Sequence, residues 1–337
     1  MAEYLTKILR EDEKDSWNKL IEEGDNGTIF HYYDWLKIAA EHSRTELIPL
    51  IITKGNKRVC QLPLFKMTRG GLKFVFSPPP GCGLPYLGPV FSIPAGNRHN
   101  YESTYFGILD EIIRFIRKEI GYDYLKIVNS EDLPDMRPYL WQGFQVKPLY
   151  SYTIDLTQGM ETVHSGIYKK TKNALKQALN NENISISRED RFIDNIITLV
   201  GKRYGEQNRK YKISHQYINN LKESSIGEKI EVISILADGE FAGGDITLAD
   251  KAKAYAWIGS VDRDRKVTGA GERVLWEKMK DYCERGFHSY DIVGGNTRHL
   301  CEHKSKYGPE LIVYYQVTDT SFKGKISLKL FRKHGTN

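Results

Sequence analysis

The sequence predicts a layered α/β protein made of two copies of one module, each a mixed, mostly antiparallel sheet flanked by helices. Three observations point there. Strand-like and helix-like stretches alternate along the chain. The order two helices, antiparallel strands, long helix, strand, short helix, strand occurs in both halves, less clearly in the first. A chain of 337 residues also suits two domains of ordinary size. The join falls after a long strand near residue 150, so the expected domains are 1–152 and 153–337. No sequence repeat is visible, and the duplication rests on element order alone.

In the first half, residues 4–9 read as a strand and 13–23 and 33–42 as helices. Residues 47–53 and 58–66 form a hairpin around Lys54-Gly55-Asn56-Lys57, where Gly-Asn supplies the turn. After a strand at 72–76 comes a Pro- and Gly-rich stretch, 77–89, read as a loop because its prolines and glycines forbid regular pairing. Residues 102–119 carry a helical stripe of Phe106, Leu109, Ile112, Ile113 and Ile116. A strand at 124–128, a short helix at 133–142 and a long strand at 145–155 complete the half.

The plan then restarts. Residues 163–180 read as one helix, 183–188 as a strand, and 192–204 and 215–223 as helices. Strands at 230–236 and 240–248 pair around an Asp238-Gly239 turn, and 253–261 is a third strand. A long helix at 271–285, a strand at 289–293, a helix at 297–307 and a strand at 311–317 complete it.

Composition narrows the function class. Hydrophobic residues make up 40% and charged residues 27%, as in a globular protein. The longest apolar runs, such as 47–52 and 196–200, are far short of the roughly 20 residues that cross a bilayer. The first ten residues have no apolar stretch and do not read as a signal peptide, so the expected compartment is the cytoplasm, with no membrane insertion. Cys60, Cys82, Cys283 and Cys301 are widely spaced, which suits reduced thiols rather than a zinc or disulfide framework. Residues 1–150 carry 19 basic and 19 acidic groups, and 151–337 carry 30 and 24, giving the formal charge of +6. That bias suggests an anionic partner for the second half (phosphates of a nucleotide, a cofactor or RNA), and it is too weak for a dedicated nucleic-acid binder; no DNA partner is expected.

Three stretches carry candidate chemistry. Lys266-x-x-Gly269-x-Gly271 lies between a strand and a helix, where backbone N–H groups can converge on a phosphate; Gly-x-Gly there serves close packing equally well. Lys169, Lys172 and Lys176 recur at helical spacing as one positive stripe, read either as an anion-binding face turned to a cleft or as a solvated face. In the third stretch the strand carrying Asp291 ends in paired glycines, and Lys304 and Lys306 come after it on a short helix. His299 and His303 have metal-ligand spacing without an evident third ligand, so no metal is expected. No Ser/His/Asp order or nucleophile elbow appears, and a covalent mechanism is not favoured.

Together these stretches resemble the FemABX aminoacyl transferases and related acyltransferases of the GNAT superfamily. Lys169-Lys-Thr-Lys-Asn-Ala-Leu-Lys-Gln-Ala178 is similar to the family's basic helix. Gly244-Asp-Ile-Thr-Leu and Ala254-Tyr-Ala-Trp are similar to its central hairpin, and Leu275-Trp-Glu-Lys-Met, Tyr290-Asp-Ile-Val-Gly-Gly and Lys304-x-x-Tyr-Gly to its closing block. The likeness covers roughly residues 150–317 and extends more loosely over 30–90. It departs from the family at His303, where an aromatic is usual, and in lacking a coiled-coil arm.

The resemblance implies two GNAT modules and transfer of an acyl or aminoacyl group to an amine by direct attack. The donor is then charged tRNA or acyl-CoA, with no tightly bound cofactor, and the acceptor a small-molecule or nucleotide-linked amine. The alternatives are acyl-CoA-dependent N-acylation of an amino sugar or small amine, and a non-catalytic module that binds a nucleotide-linked or RNA ligand with the same cleft. The resemblance implies Lys304 as oxyanion stabiliser, Lys172 and Lys176 as holders of acceptor phosphates, and Tyr255 and Trp257 as groove-lining aromatics, with Lys169 a substrate-binding candidate from the lysine stripe. Lys266, Gly269 and Gly271 resemble the coenzyme A loop of ordinary GNAT enzymes. Asp291 is the candidate base.

Overall fold

The computed structural model describes residues 4–326 except 25 and 95. The chain divides into two compact units. One comprises the described residues up to Leu149 and those from Tyr314 onward; the other is Tyr150–Val313.

The first unit runs β1 (Tyr4–Ile8), α1 (Lys14–Glu23), α2 (Tyr33–Ser43), β2 (Glu46–Lys54), β3 (Lys57–Arg69), β4 (Leu72–Ser77), β5 (Val90–Phe91), α3 (Arg98–Phe115), β6 (Tyr124–Val128), α4 (Arg137–Trp141) and into β7 (Gln145–Asp155). Its sheet has the order β1-β2-β3-β4-β6, with short β5 on β3. The pairs are antiparallel except β4 with β6, which run parallel because α3 carries the chain back across the sheet. The core is built where α3 lays Ile108, Leu109 and Ile112 against Leu50, Leu62, Leu125 and Ile127. Asn97 caps α3, its side chain accepting from the Asn100 N–H.

The second unit begins with the end of β7 and runs α5 (Gly159–Gly166), α6 (Lys169–Leu179), β8 (Ile184–Ser187), α7 (Ile193–Glu206), α8 (His215–Glu223), β9 (Ile230–Ala237), β10 (Glu240–Asp250), β11 (Lys253–Val261), α9 (Ala270–Glu284), β12 (Ser289–Asp291) and α10 (Arg298–Lys304) into β13 (Glu310–Thr320). The order β8-β9-β10-β11-β12 repeats the first unit's plan, again antiparallel except for the β11–β12 pair. Residues 153–155 of β7 continue this sheet beside β12. Asp238 and Gly239 both adopt positive φ (53° and 79°), the conformation a two-residue hairpin requires between Ala237 and Glu240.

Two expectations change and one gains detail. Residues 163–180 are two helices, because Ile167 is extended and the Tyr168 N–H turns to the Lys306 carbonyl at 2.8 Å. The stretch 77–89 is irregular, as expected, and lies in the interior: Cys82, Tyr86 and Leu87 are buried in it. The expected second domain, 153–337, ends early, since Gln316–Thr320 pair with β6 of the first unit. Strand pairing is non-local, and nothing in a strand's own residues names its partner. Among the described residues, no helix is long and apolar enough to cross a membrane.

Candidate active site

The parallel pair in the second unit is short. Lys253, Ala254 and Tyr255 of β11 face Ser289, Tyr290 and Asp291 of β12, and beyond them the strands part. At the same point the β10–β11 register shifts, leaving Trp257 as an extra residue between Ala256 and Ile258. A bulge bends its strand, and the divergence opens a wedge. The chain after β12 turns away through Val293 (φ 38°) and Gly294 (φ 89°).

This wedge is a cavity of about 350 Å³. Ala256–Gly259 of β11 form one wall and Ile292 and Val293 the other. Arg203 and Tyr204 of α7, Gly271 and Leu275 of α9, and His299, His303 and Lys304 of α10 close over it. The lining is rich in cations, with Arg209 adding a further one, and Asp245 of β10 is the sole carboxylate among the described lining residues. Burial pushes the Asp245 carboxyl up to about 6, against the opposing pull of Lys278. Burial also lowers His303, which Glu272 partly offsets. Such a lining suits an anionic ligand with its reacting end on the sheet.

Lys304 lines this cavity at the end of α10. Its ammonium donates to the carbonyls of Ile292 (2.7 Å), Val293 and Gly294 (2.9 Å). An ammonium has three donors, and all three are used. Lys304 therefore staples the turn that forms the second wall and keeps no spare N–H for a ligand. Burial lowers it to about 8, against the pull of Asp291.

Asp291 is fully buried and does not line the cavity. Its Oδ1 accepts from the Ser151 hydroxyl at 2.6 Å and the Val293 N–H at 2.8 Å, and Lys253 lies 3.5 Å from Oδ2. It holds the same turn from behind, a positioning role instead of the base expected of it. Trp257 lines the wedge and meets Tyr217 edge-on, whereas Tyr255 is buried under the Lys253 ammonium.

The expected phosphate loop is split. Gly271 lines the wedge, but a Cβ on Gly269 would land on the Ala174 carbonyl of α6, so that glycine serves close helix packing. The Ala270 N–H is taken by the Val267 carbonyl. Lys266 is exposed on a separate surface hollow with Asn181 and Arg265. The lysine stripe does not reach the wedge either. Lys169 and Lys176 are exposed, and Lys172 donates to the Ser165 carbonyl at 2.8 Å, because α6 buries Thr171, Leu175 and Ala178 instead.

Sequence reasoning missed Arg203, Arg209, Asp245 and the buried Lys278. Two left a signal: Asp245 interrupts an apolar strand, and Lys278 falls in the helix stripe Val274, Leu275, Met279 and Tyr282. Among the described residues, no group of three or more His, Cys, Asp or Glu is placed to hold a metal ion.

Comparison with known proteins fits this geometry. Residues 165–305 match the acetyltransferase (GNAT) domain. None of the curated proteins matches the chain in sequence. The crystal structure of FemX superposes with a TM-score of 0.71 at 10% identity, over 96% of this chain and 99% of that one. L-PGS from Bacillus licheniformis gives 0.58 at 10% identity, covering 96% of each. A tandem GNAT protein from the clavulanic acid biosynthesis pathway gives 0.54 at 12% identity, over 94% and 98%. At these identities the likeness is one of fold. Residues 165–305 thus match a GNAT acetyltransferase domain, within a two-unit chain whose fold is similar to that of FemX.

Proposed function

We propose that the chain transfers an aminoacyl group to an amine, with the donor's ester carbonyl held in the wedge between β11 and β12. The observation that carries this reading is the wedge itself: open, on the GNAT domain, and lined by Arg203, Arg209, His299, His303 and Lys304. The neutral amine nitrogen attacks the carbonyl carbon directly, the ester C–O bond breaks, and the departing ribose oxygen takes up the proton the amine loses, leaving an amide and a free hydroxyl. Holding both reactants in one geometry supplies much of the acceleration, of the order of 7–11 kcal/mol. The Lys304 charge stabilises the developing oxyanion. Charged tRNA as donor is supported by the packing of α6 on Gly269, which takes up part of the loop that a coenzyme pyrophosphate would use. In this reading the exposed Lys169 and Lys176 attract a polyanionic donor through their field. The acceptor is a small or nucleotide-linked amine, and the compartment is the cytoplasm, where such donors occur.

A second reading, acyl-CoA as donor to an amino sugar or small amine, is supported by Gly271, which lines the wedge at the start of α9. Thermal shift against charged tRNA, its 3′-terminal aminoacyl-nucleotide analogue and acetyl-CoA tests the two. A specific ligand at a hundredfold excess over Kd adds about 2.7 kcal/mol. Stabilisation by the aminoacyl ligands and none by acetyl-CoA is expected; the reverse overturns the aminoacyl reading.

A further inference from the structure

Asp245 is out of keeping with its surroundings. It stands on β10 with buried residues on both sides, from Ala242 to Gly244 and from Ile246 to Asp250, yet is itself only half-buried and faces the wedge. Its carboxylate lies across Gly259 of β11, where any Cβ would land on Oδ1; the neighbouring strand gives up a side chain to leave it room. No hydrogen bond or ion pair among the described residues ends on it. Lys278 of α9, itself buried, acts on it through its charge and gives its own hydrogen bond to the Thr247 hydroxyl. A carboxylate taken partly out of water and left without a donor is costly unless a ligand supplies one. The rest of the titratable lining is basic or neutral, so the donor that fits there is a cation on an otherwise anionic molecule.

We infer that Asp245 binds the primary ammonium group of the substrate, so that the wedge accepts ligands carrying phosphate at one part and ammonium at the reacting end. This rests on the wedge being the transfer site. Two substrates offer that chemistry: the α-ammonium of an aminoacyl donor and the amine of a phosphorylated amino sugar.

Two probe pairs, each differing by one positive charge, separate them. The donor pair is 3′-(alanylamino)-3′-deoxyadenosine 5′-phosphate and its N-acetyl derivative. The acceptor pair is glucosamine 6-phosphate and N-acetylglucosamine 6-phosphate. Calorimetric titration of the wild type should show the cationic member of one pair binding about 10- to 100-fold more tightly, as a charge-assisted hydrogen bond provides. Asp245→Asn should erase that preference. Because Asp245→Asn leaves Lys278 without its counter-charge, Asp245→Asn/Lys278→Met is titrated beside it, with thermal unfolding to verify folding. Preference in the donor pair assigns the ammonium to the aminoacyl group, and in the acceptor pair to the amine. No preference in either pair, or preference that survives both variants, overturns the assignment. Binding of either pair without charge preference, abolished by the wedge-filling Ala256→Trp, leaves the wedge standing and removes only the role of Asp245. Binding untouched by Ala256→Trp removes the wedge itself.

Discussion

The two units repeat one plan and part company at one place. In each, a parallel strand pair flanked by antiparallel strands marks the middle of the sheet. In the second unit the pair diverges after Tyr255 and Asp291, and the gap stays open. In the first, β4 and β6 are paired from Phe74 to Ser77, and the chain then loops back to fill the continuation. Leu87 forms a parallel bridge with Asn129, its N–H reaching the Val128 carbonyl at 2.9 Å. Gly88 donates to the Ser77 hydroxyl at 3.1 Å and sits so close to Asn129 that a Cβ would meet its side-chain oxygen. The Pro- and Gly-rich stretch is thus a plug. The same architecture yields a ligand-sized cavity or a closed core, depending on the path the chain takes as it leaves a single strand. Fold alone therefore does not assign function.

That contrast can be broken from either side. Filling the open wedge with Ala256→Trp should lower ligand affinity by about 100-fold or more while leaving the unfolding midpoint within a few degrees, measured by titration and calorimetry. Emptying the plug has the opposite signature. Leu87→Ala, at a fully buried site, should cost about 2–5 kcal/mol in urea unfolding, and ligand affinity should stay as it was.

Lys304→Met comes next. Its loss leaves three carbonyls of the turn without their donor, so stability should fall by about 1–3 kcal/mol and affinity with it. Lys306→Met, at an exposed neighbour, should change neither. Stability equal to wild type in Lys304→Met would return Lys304 to a purely catalytic role.

Lys278 gives a pH signature. Folding lowers it from 10.5 to about 7 through burial, so the unfolded chain binds its proton more tightly. The penalty is fully present below pH 7, shrinks as pH rises from 7 towards 10.5, and vanishes above. Lys278→Met should therefore be more stable than wild type at pH 7, by a margin that closes by pH 10 in paired thermal melts. A constant margin would show that the buried charge is not what destabilises the core.

Much of this is legible in the sequence, for local reasons. Turn chemistry and periodicity are short-range, so the Gly55 and Asp238-Gly239 hairpins and the stripe of α3 can be read from adjacent residues. The motif around Lys304 leads to one wall of the wedge. What Lys304 bonds to is not legible, because its acceptors are backbone carbonyls 10 to 12 residues earlier, placed by a turn with positive φ. Gly269 and Gly271 look like one loop, and only the approach of α6 separates a packing glycine from a cavity glycine. Asp245 is visible as an acid inside an apolar strand, yet the hairpin pattern around it says nothing of the wedge it faces.

The position of the donor tests the assignment of the wedge most directly. A crystal structure of the chain soaked with 3′-(alanylamino)-3′-deoxyadenosine 5′-phosphate should show the ligand between Ala256–Gly259 and Ile292–Val293, its alanyl carbonyl in the wedge and its phosphate towards Arg203 or Arg209. The same ligand found in the first unit, or on the surface hollow of Arg265 and Lys266 with the wedge empty, would contradict the assignment of the open wedge as the active site.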